Sequence, residues 1–465
     1  SKKISASVAP VDEKKCARFY SLPGVAGGRY CTKVAGTPPP ACIRYNTVFL
    51  VFCPAMNARF AALFSPLRDL LRYRDRPQLF ALLIYQAITT TGFTLLIPLV
   101  SVHFVADVGM SAAIVGMALA IRQISQQGLA FIGGMLADRY GLKPVLCTGL
   151  IIRAIGFFML GYAVSMPVFF VALLLTGLGG ALFDAPFQAA TVAMTQPEER
   201  REFYLLANYL TSLAATIGPM LAIALLLIDF SAVGIAAGSC FLTNVFVAVR
   251  FFPNIKPPAE EKGGGMGYLR QLLRDRIYLR FVAIMCGYWF VVMQVNISFP
   301  LLAESLTGSK ASAGWFYTFS SLLTLLLQYF LVRRLQRHFR SHQLLIAGTL
   351  IMTCGTFFLG TSVHFAIFLL WIGGYTVGYL VSRPMIDILV AHLAHPRALG
   401  LYVGFSALSI GVGGGLGNFF GGWLYDLGKA LHWPLLPWMV FAAVGICTAW
   451  QLARFFRCYP QTVTQ

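Results

Sequence analysis

The side chains that could do chemistry are few, and they lie where charge is expensive. Arg122, Arg153, Asp184, Arg383 and Asp387 each stand inside a long apolar stretch. If such a stretch crosses a bilayer, an ionised side chain costs at least ~2.5 to 3.5 kcal/mol and must face a cavity or a partner. Arg153 and Asp184 lie about eight or nine residues from the same end of neighbouring stretches, which at ~1.5 Å per residue puts them at similar depth, able to pair. Arg383 and Asp387 are four apart and share a helix face. Arg122 has no acid on its own stretch, but Gln123, Gln126 and Gln127 follow it, and Gln86 with Thr89, Thr90 and Thr91 can face it from the stretch before. These types suit ion handling: an aspartate that trades its proton as an arginine approaches and withdraws, beside arginines that stay charged. The alternatives are structural, with Asp184 or Asp387 in a permanent ion pair and Arg122 bridged to Asp184 or capping a carbonyl. No P-loop, nucleophile–base pair, metal cluster, CxxC pair or zinc spacing is present, so neither an enzyme nor an ATP-driven pump is expected. Cys147, Cys240, Cys286, Cys354 and Cys447 read as packing residues.

The elements that must position these groups follow from composition. Of 465 residues, 58% are hydrophobic and 11% charged, against about 25% charged in a typical soluble domain. Mean hydropathy is +0.72. The apolar blocks approach the roughly 20 residues a helix needs to cross hydrocarbon, and in lipid only helices or closed barrels satisfy their own backbone. Blocks this long, rich in Leu, Ala and Gly, predict helices. They fall near 78–104, 112–137, 145–163, 167–193, 203–228, 231–252, 277–303, 312–332, 343–362, 364–391, 399–424 and 434–456, an all-α membrane protein of twelve spans. The net charge of +19 raises nucleic-acid binding, but the position of the basic residues argues otherwise. They precede the first span (Arg59, Arg68, Arg72, Arg74, Arg76) and fill alternate loops (Arg139 and Lys143; Arg200 and Arg201; Arg250 to Arg280; Arg333, Arg334, Arg337 and Arg340; Arg397), while the other loops hold only Lys310 and Lys429. The positive-inside rule then puts both termini in the cytoplasm. The expected partners are lipid and a small molecule, not nucleic acid.

A polar break around Pro253 to Gly265 divides the spans six and six. The predicted parts are an extension over 1–77, a bundle over 78–252, a cytoplasmic linker over 253–276, a second bundle over 277–457 and a tail over 458–465. The halves echo each other: Pro197, Arg200 and Tyr204 precede span five as Pro396, Arg397 and Tyr402 precede span eleven. Such repeats suit two bundles rocking about a midplane site. Residues 1–55 carry no periodicity, and Met56 reads as the natural start.

One loop is more specific. Gly134-Met135-Leu136-Ala137-Asp138-Arg139-Tyr140-Gly141-Leu142-Lys143 resembles the G-x-L-A-D-R-x-G-x-K loop of the major facilitator superfamily, with Met135 for its Leu. Gly134 is expected to admit a close helix and Gly141 a turn. Arg139 and Lys143 hold the cytoplasmic side. Asp138 suits the positive end of a neighbouring helix, which by resemblance is span eleven, giving a latch that breaks as the halves rock. The wider sequence, from about residue 78 to 456, resembles the drug:proton antiporter branch and its MdtH-type multidrug resistance proteins. Ile121-Arg122-Gln123, Gly177-Leu178-Gly179-Gly180, Phe183-Asp184, Gly421 to Lys429 and Pro437-Trp438-Met439 carry that match. The antiporter signature of span five survives as Gly218 and Pro219, with Ala214 and Ala222 for two glycines. Thr176 stands where many exporters carry an arginine. The resemblance implies a monomeric exporter of amphipathic drugs in a bacterial inner membrane, with no cofactor beyond the proton as coupling ion. A facilitator for a metabolite, sugar or siderophore, or a non-transporting membrane sensor, remains open. Of Tyr85, Phe93, Tyr288, Trp289, Trp315, Tyr317 and Trp371, a minority is expected to wall the substrate site, the others facing lipid, the interface or the packing core.

Overall fold

The computed structural model describes Leu70 and residues 73–196, 198–253, 264–395 and 398–459, all within the larger of the two units into which the chain divides. The expectations for residues 1–55, Met56, Pro197, Pro396 and Arg397 lie outside the described residues. Among those residues every regular element is a helix. In chain order they are α1 (Pro77–Val102, continued by a π-helical turn His103–Asp107), α2 (Ala112–Gly128), α3 (Ala130–Tyr140), α4 (Leu142–Gly161), α5 (Met166–Met194), α6 (Arg200–Leu226), α7 (Phe230–Phe251), α8 (Gly264–Arg274), α9 (Arg276–Val292), α10 (Ser298–Thr307), α11 (Ala311–Leu335), α12 (Ser341–Leu359), α13 (Phe365–Leu393), α14 (Leu399–Ala430) and α15 (Leu436–Cys458).

Among the described residues, ten helical stretches are long and apolar enough to cross a membrane. The second and eighth of the twelve expected spans are helical but fall outside that set. The second, expected unbroken over 112–137, divides at Leu129, whose backbone leaves the helical region (φ −103°, ψ 4°) directly after Gly128, a poor helix former. The eighth is one unbroken helix, α11, over the whole of its predicted range. The seventh also breaks, through a 3₁₀ turn at Met293–Asn296 between α9 and α10. The stretch expected as linker carries the short helix α8.

Glycines set the packing, because without a hydrophobic drive between helices in lipid, close backbone approach is what holds them. A Cβ on Gly149 would lie 2.8 Å from the Gly179 carbonyl, and one on Gly348 2.8 Å from the Gly378 carbonyl. Likewise Gly156 abuts Thr176 N (2.8 Å) and Gly355 abuts Tyr375 N (2.6 Å). Each second-half glycine follows its partner at the same spacing along the chain, so α12–α13 repeat the packing of α4–α5. The halves join where α2 lies along α14, with Gly116 on the Asn418 carbonyl and Gly415 so close to α2 that a Cβ there would lie 2.8 Å from Ile124, and where α6 meets α11, with Gly314 against Ile223 and the Pro219 carbonyl. α3 makes no comparable contact with α14 among the described residues. The halves therefore close at one end and part at the end bearing Gly134 to Lys143.

Candidate proton and substrate site

Within the first half, Gln126 is the hinge of the polar network. Its Nε2 donates to Asp184 Oδ2 at 2.9 Å, and its Oε1 accepts from Arg122 Nη1 at 3.1 Å. Arg122 Nη2 donates to Gln123 Oε1 at 3.0 Å. Both Arg122 and Arg153 are 3% exposed, while Asp184 is half-buried. The one-turn spacing of Arg122 and Gln126 puts both on one face of α2, and the Gly177-Leu178-Gly179-Gly180 run on α5 makes room for them. A Cβ on Gly177 would lie 2.6 Å from the Arg122 carbonyl; one on Gly180 would lie 2.6 Å from Arg153 Nη1 and 2.8 Å from Gln126 Cδ. Asp184 follows Gly180 by one turn and so faces the same cleft.

The expected Arg153–Asp184 pair is not formed: among the described residues no ion pair within 4.0 Å joins them. Arg153 Nε and Nη1 are buried without a hydrogen-bond partner. Its charge is instead surrounded by Phe93, Phe157, Phe183 and Phe241, whose ring centroids lie 5.4, 5.8, 5.0 and 5.1 Å away in that order. Such contacts are worth about 2 kcal/mol or more when desolvated, so rings compensate Arg153 where the sequence pointed to a carboxylate. Phe93 also lies 5.5 Å from the Arg122 guanidinium. Gln86 stays out of this network; its carbonyl accepts from Thr90 Oγ1 at 2.9 Å. Asn244 is a polar tie that the sequence reading missed. Its Nδ2 donates to Thr89 Oγ1 (2.7 Å) and the Tyr85 carbonyl (3.1 Å), joining α7 to α1. A lone asparagine within an apolar stretch was the available signal.

In the second half Arg383 Nη1 meets Asp387 Oδ1 at 2.6 Å, as their spacing predicts, and lies 5.5 Å from the Trp289 ring. The Asp387 side chain is 68% exposed, beside a cavity lined by Met285, Trp289, Ser409 and Ile410. Of the aromatics expected to form walls, Tyr85 and Tyr288 are fully buried. Tyr288 bonds Ser382 at 2.9 Å.

The loop motif is partly re-registered. Gly141 has φ +95°, a conformation essentially reserved for glycine. Lys143 Nζ donates to the Val249 carbonyl at the last turn of α7, at 2.6 Å. Arg139 stacks on Tyr140, 5.3 Å from the ring. Gly134, expected to admit a neighbouring helix, has nothing within 4 Å; Gly133 fills that role, pressed on the Ala181 carbonyl of α5. One residue turns the face by about 100°, and the motif pattern does not say which glycine faces inward. Asp138 is exposed and bonds to no described residue, and Gly400 and Gly404 near the start of α14 also have nothing within 4 Å. The expected contact between Asp138 and α14 is not formed among the described residues. Gly218 packs on Thr94 of α1, and the Pro219 carbonyl faces α11.

A family model described as Major Facilitator Superfamily matches residues 82–306 and again 290–464. Over 382 residues the chain is 36% identical to the multidrug resistance protein MdtH of Yersinia pestis (strain Pestoides F), covering 80% of this chain and 94% of that protein, and equally to MdtH of Yersinia pseudotuberculosis (serotype O:1b, strain IP 31758). Among solved structures, a point mutant of the nucleoside transporter NupG superposes with TM-score 0.70 at 14% identity, covering 82% of this chain and all of that one. A bacterial homolog of the human lysosomal transporter Spinster, inward-facing and unoccupied, gives 0.68 at 14% identity, covering 84% and 99%.

Proposed function

Because the chain belongs to the major facilitator superfamily and is a multi-pass membrane transporter, we propose that it exports small amphipathic compounds in exchange for protons, with Asp184 as the proton-carrying group. The observation that carries this is the chain Arg122–Gln126–Asp184, with Arg153 beside it in no ion pair among the described residues and its Nε and Nη1 without a hydrogen-bond partner. An aspartate locked against an arginine would be structural. One held at one remove through a neutral glutamine can change protonation when the helices move an arginine closer or further. The similarity to multidrug resistance proteins over most of the chain supports the substrate class. The basic loops support a bacterial inner-membrane orientation with the Asp138 end cytoplasmic, so the conformation described is open to the cytoplasm. The working unit is the monomer, since each half contributes to one central site, and no cofactor other than the proton is invoked.

The test is proton release. Adding a cationic amphipathic dye to purified protein in weak buffer should release protons from the wild type and none from Asp184→Asn, while dye quenching of tryptophan fluorescence persists in both. Equal release from the two proteins would remove Asp184 from the role.

A further inference from the structure

Residues 421–429 lie outside the transport site, yet they repeat the loop motif at the opposite end of the molecule. Gly133-Gly134-Met135-Leu136-Ala137-Asp138 at the end of α3 and Gly421-Gly422-Trp423-Leu424-Tyr425-Asp426 on α14 share the pattern G-G-x-L-x-D, and in each a glycine and a lysine follow (Gly141 and Lys143; Gly428 and Lys429). Asp138 bonds to no described residue, whereas Asp426 Oδ2 accepts from Ala113 N at 2.8 Å and Oδ1 from Ala112 N at 3.2 Å, the first amides of α2. Gly422 makes this possible, because any Cβ there would collide with the Ala112 carbonyl. A second link joins the halves at the same end, Lys310 Nζ to Asp107 Oδ1 at 2.5 Å.

We propose that Asp426 is a positioning residue for the transport cycle: it closes the end opposite the loop motif by capping α2, and alternates with Asp138, which caps α14 when that end opens. α14 runs antiparallel to α2, which α3 continues after the break at Leu129, so the α2–α3 stretch and α14 each have an acid near their last turns and free amides at their first, and a rocking motion that separates one acid from its target brings the other pair together. A carboxylate on free N-terminal amides gains both the hydrogen bonds and the helix dipole. The gain in one state is exchanged for the same kind of gain in the other, which keeps the two conformations close in energy. This goes beyond the export reading, and its test needs neither a substrate nor a proton gradient.

Hydrogen exchange by mass spectrometry reads the two ends separately. In Asp426→Asn, peptides covering 110–118 should exchange about tenfold faster, and peptides covering 133–143 and 399–406 should exchange more slowly as the other latch forms. Gly422→Ala, which keeps the carboxylate but wedges the helices, should do the same. Asp138→Asn changes an exposed side chain that bonds to no described residue, so the fold should persist; it should slow exchange at 110–118. Faster exchange at 110–118 alone, with 133–143 and 399–406 unchanged, would mean a local helix cap and overturn the alternation. So would an Asp138→Asn protein that exchanges like wild type at 110–118.

Discussion

Replacing Gln126 by Leu tests the network at its hinge. The substitution keeps the bulk of the side chain but removes the donor to Asp184 and the acceptor from Arg122. Hydrogen bonds between membrane helices average only about 0.6 kcal/mol and reach about 1.7, while bonds to charged groups elsewhere give ~1.5 to 3. Both partners here are ionisable and Arg122 is almost fully buried, so the upper membrane value governs, and two bonds amount to about 2 to 3 kcal/mol. At ~1.4 kcal/mol per factor of ten, efflux should fall by roughly one to two orders of magnitude. The assay is dye export from everted vesicles, normalised to folded protein by size-exclusion chromatography. Gln126→Glu separates coupling from packing: it still accepts from Arg122 but faces Asp184 with an acceptor, so the fold should persist while transport is lost. Export within twofold of wild type in both variants would refute the claim that Gln126 links the two charges.

Further outcomes follow from the packing and the loop. Gly133→Val should lower the melting temperature in detergent or prevent folding, since its Cβ has no room against α5, whereas Gly134→Ala should melt like the wild type; the reverse order would show that the register is wrong. Gly141→Ala should cost about 1 to 3 kcal/mol at its positive φ, read as a drop in thermal stability. Asp387→Asn, altering a mostly exposed carboxylate paired within one helix, should shift stability by less than about 1 kcal/mol and leave dye export near wild type; loss of export there would make the second half the seat of coupling.

The spans were legible because lipid demands uninterrupted apolar helices, and the structure places α1 and α4 to α7 within a few residues of the hydropathy blocks. The Arg383–Asp387 contact was legible because it is local, set by helix pitch alone. What the sequence left open depended on the rotation of one helix against another. Arg153 and Asp184 do share a depth, but Gln126 from a third helix comes between Asp184 and Arg122, and four phenylalanines from four helices take the place of a counter-ion for Arg153. The choice of Gly133 over Gly134 is of the same kind. The breaks at Leu129 and Met293–Asn296 escape a hydropathy reading because the residues on either side remain apolar or neutral.

The central claim is that a proton on Asp184 is exchanged for substrate, and reconstituted vesicles test it directly. With purified protein and an imposed pH gradient, the wild type should move dye against its concentration gradient, and Asp184→Asn should bind dye yet show no gradient-driven movement. Active transport by Asp184→Asn at the wild-type rate would contradict the account.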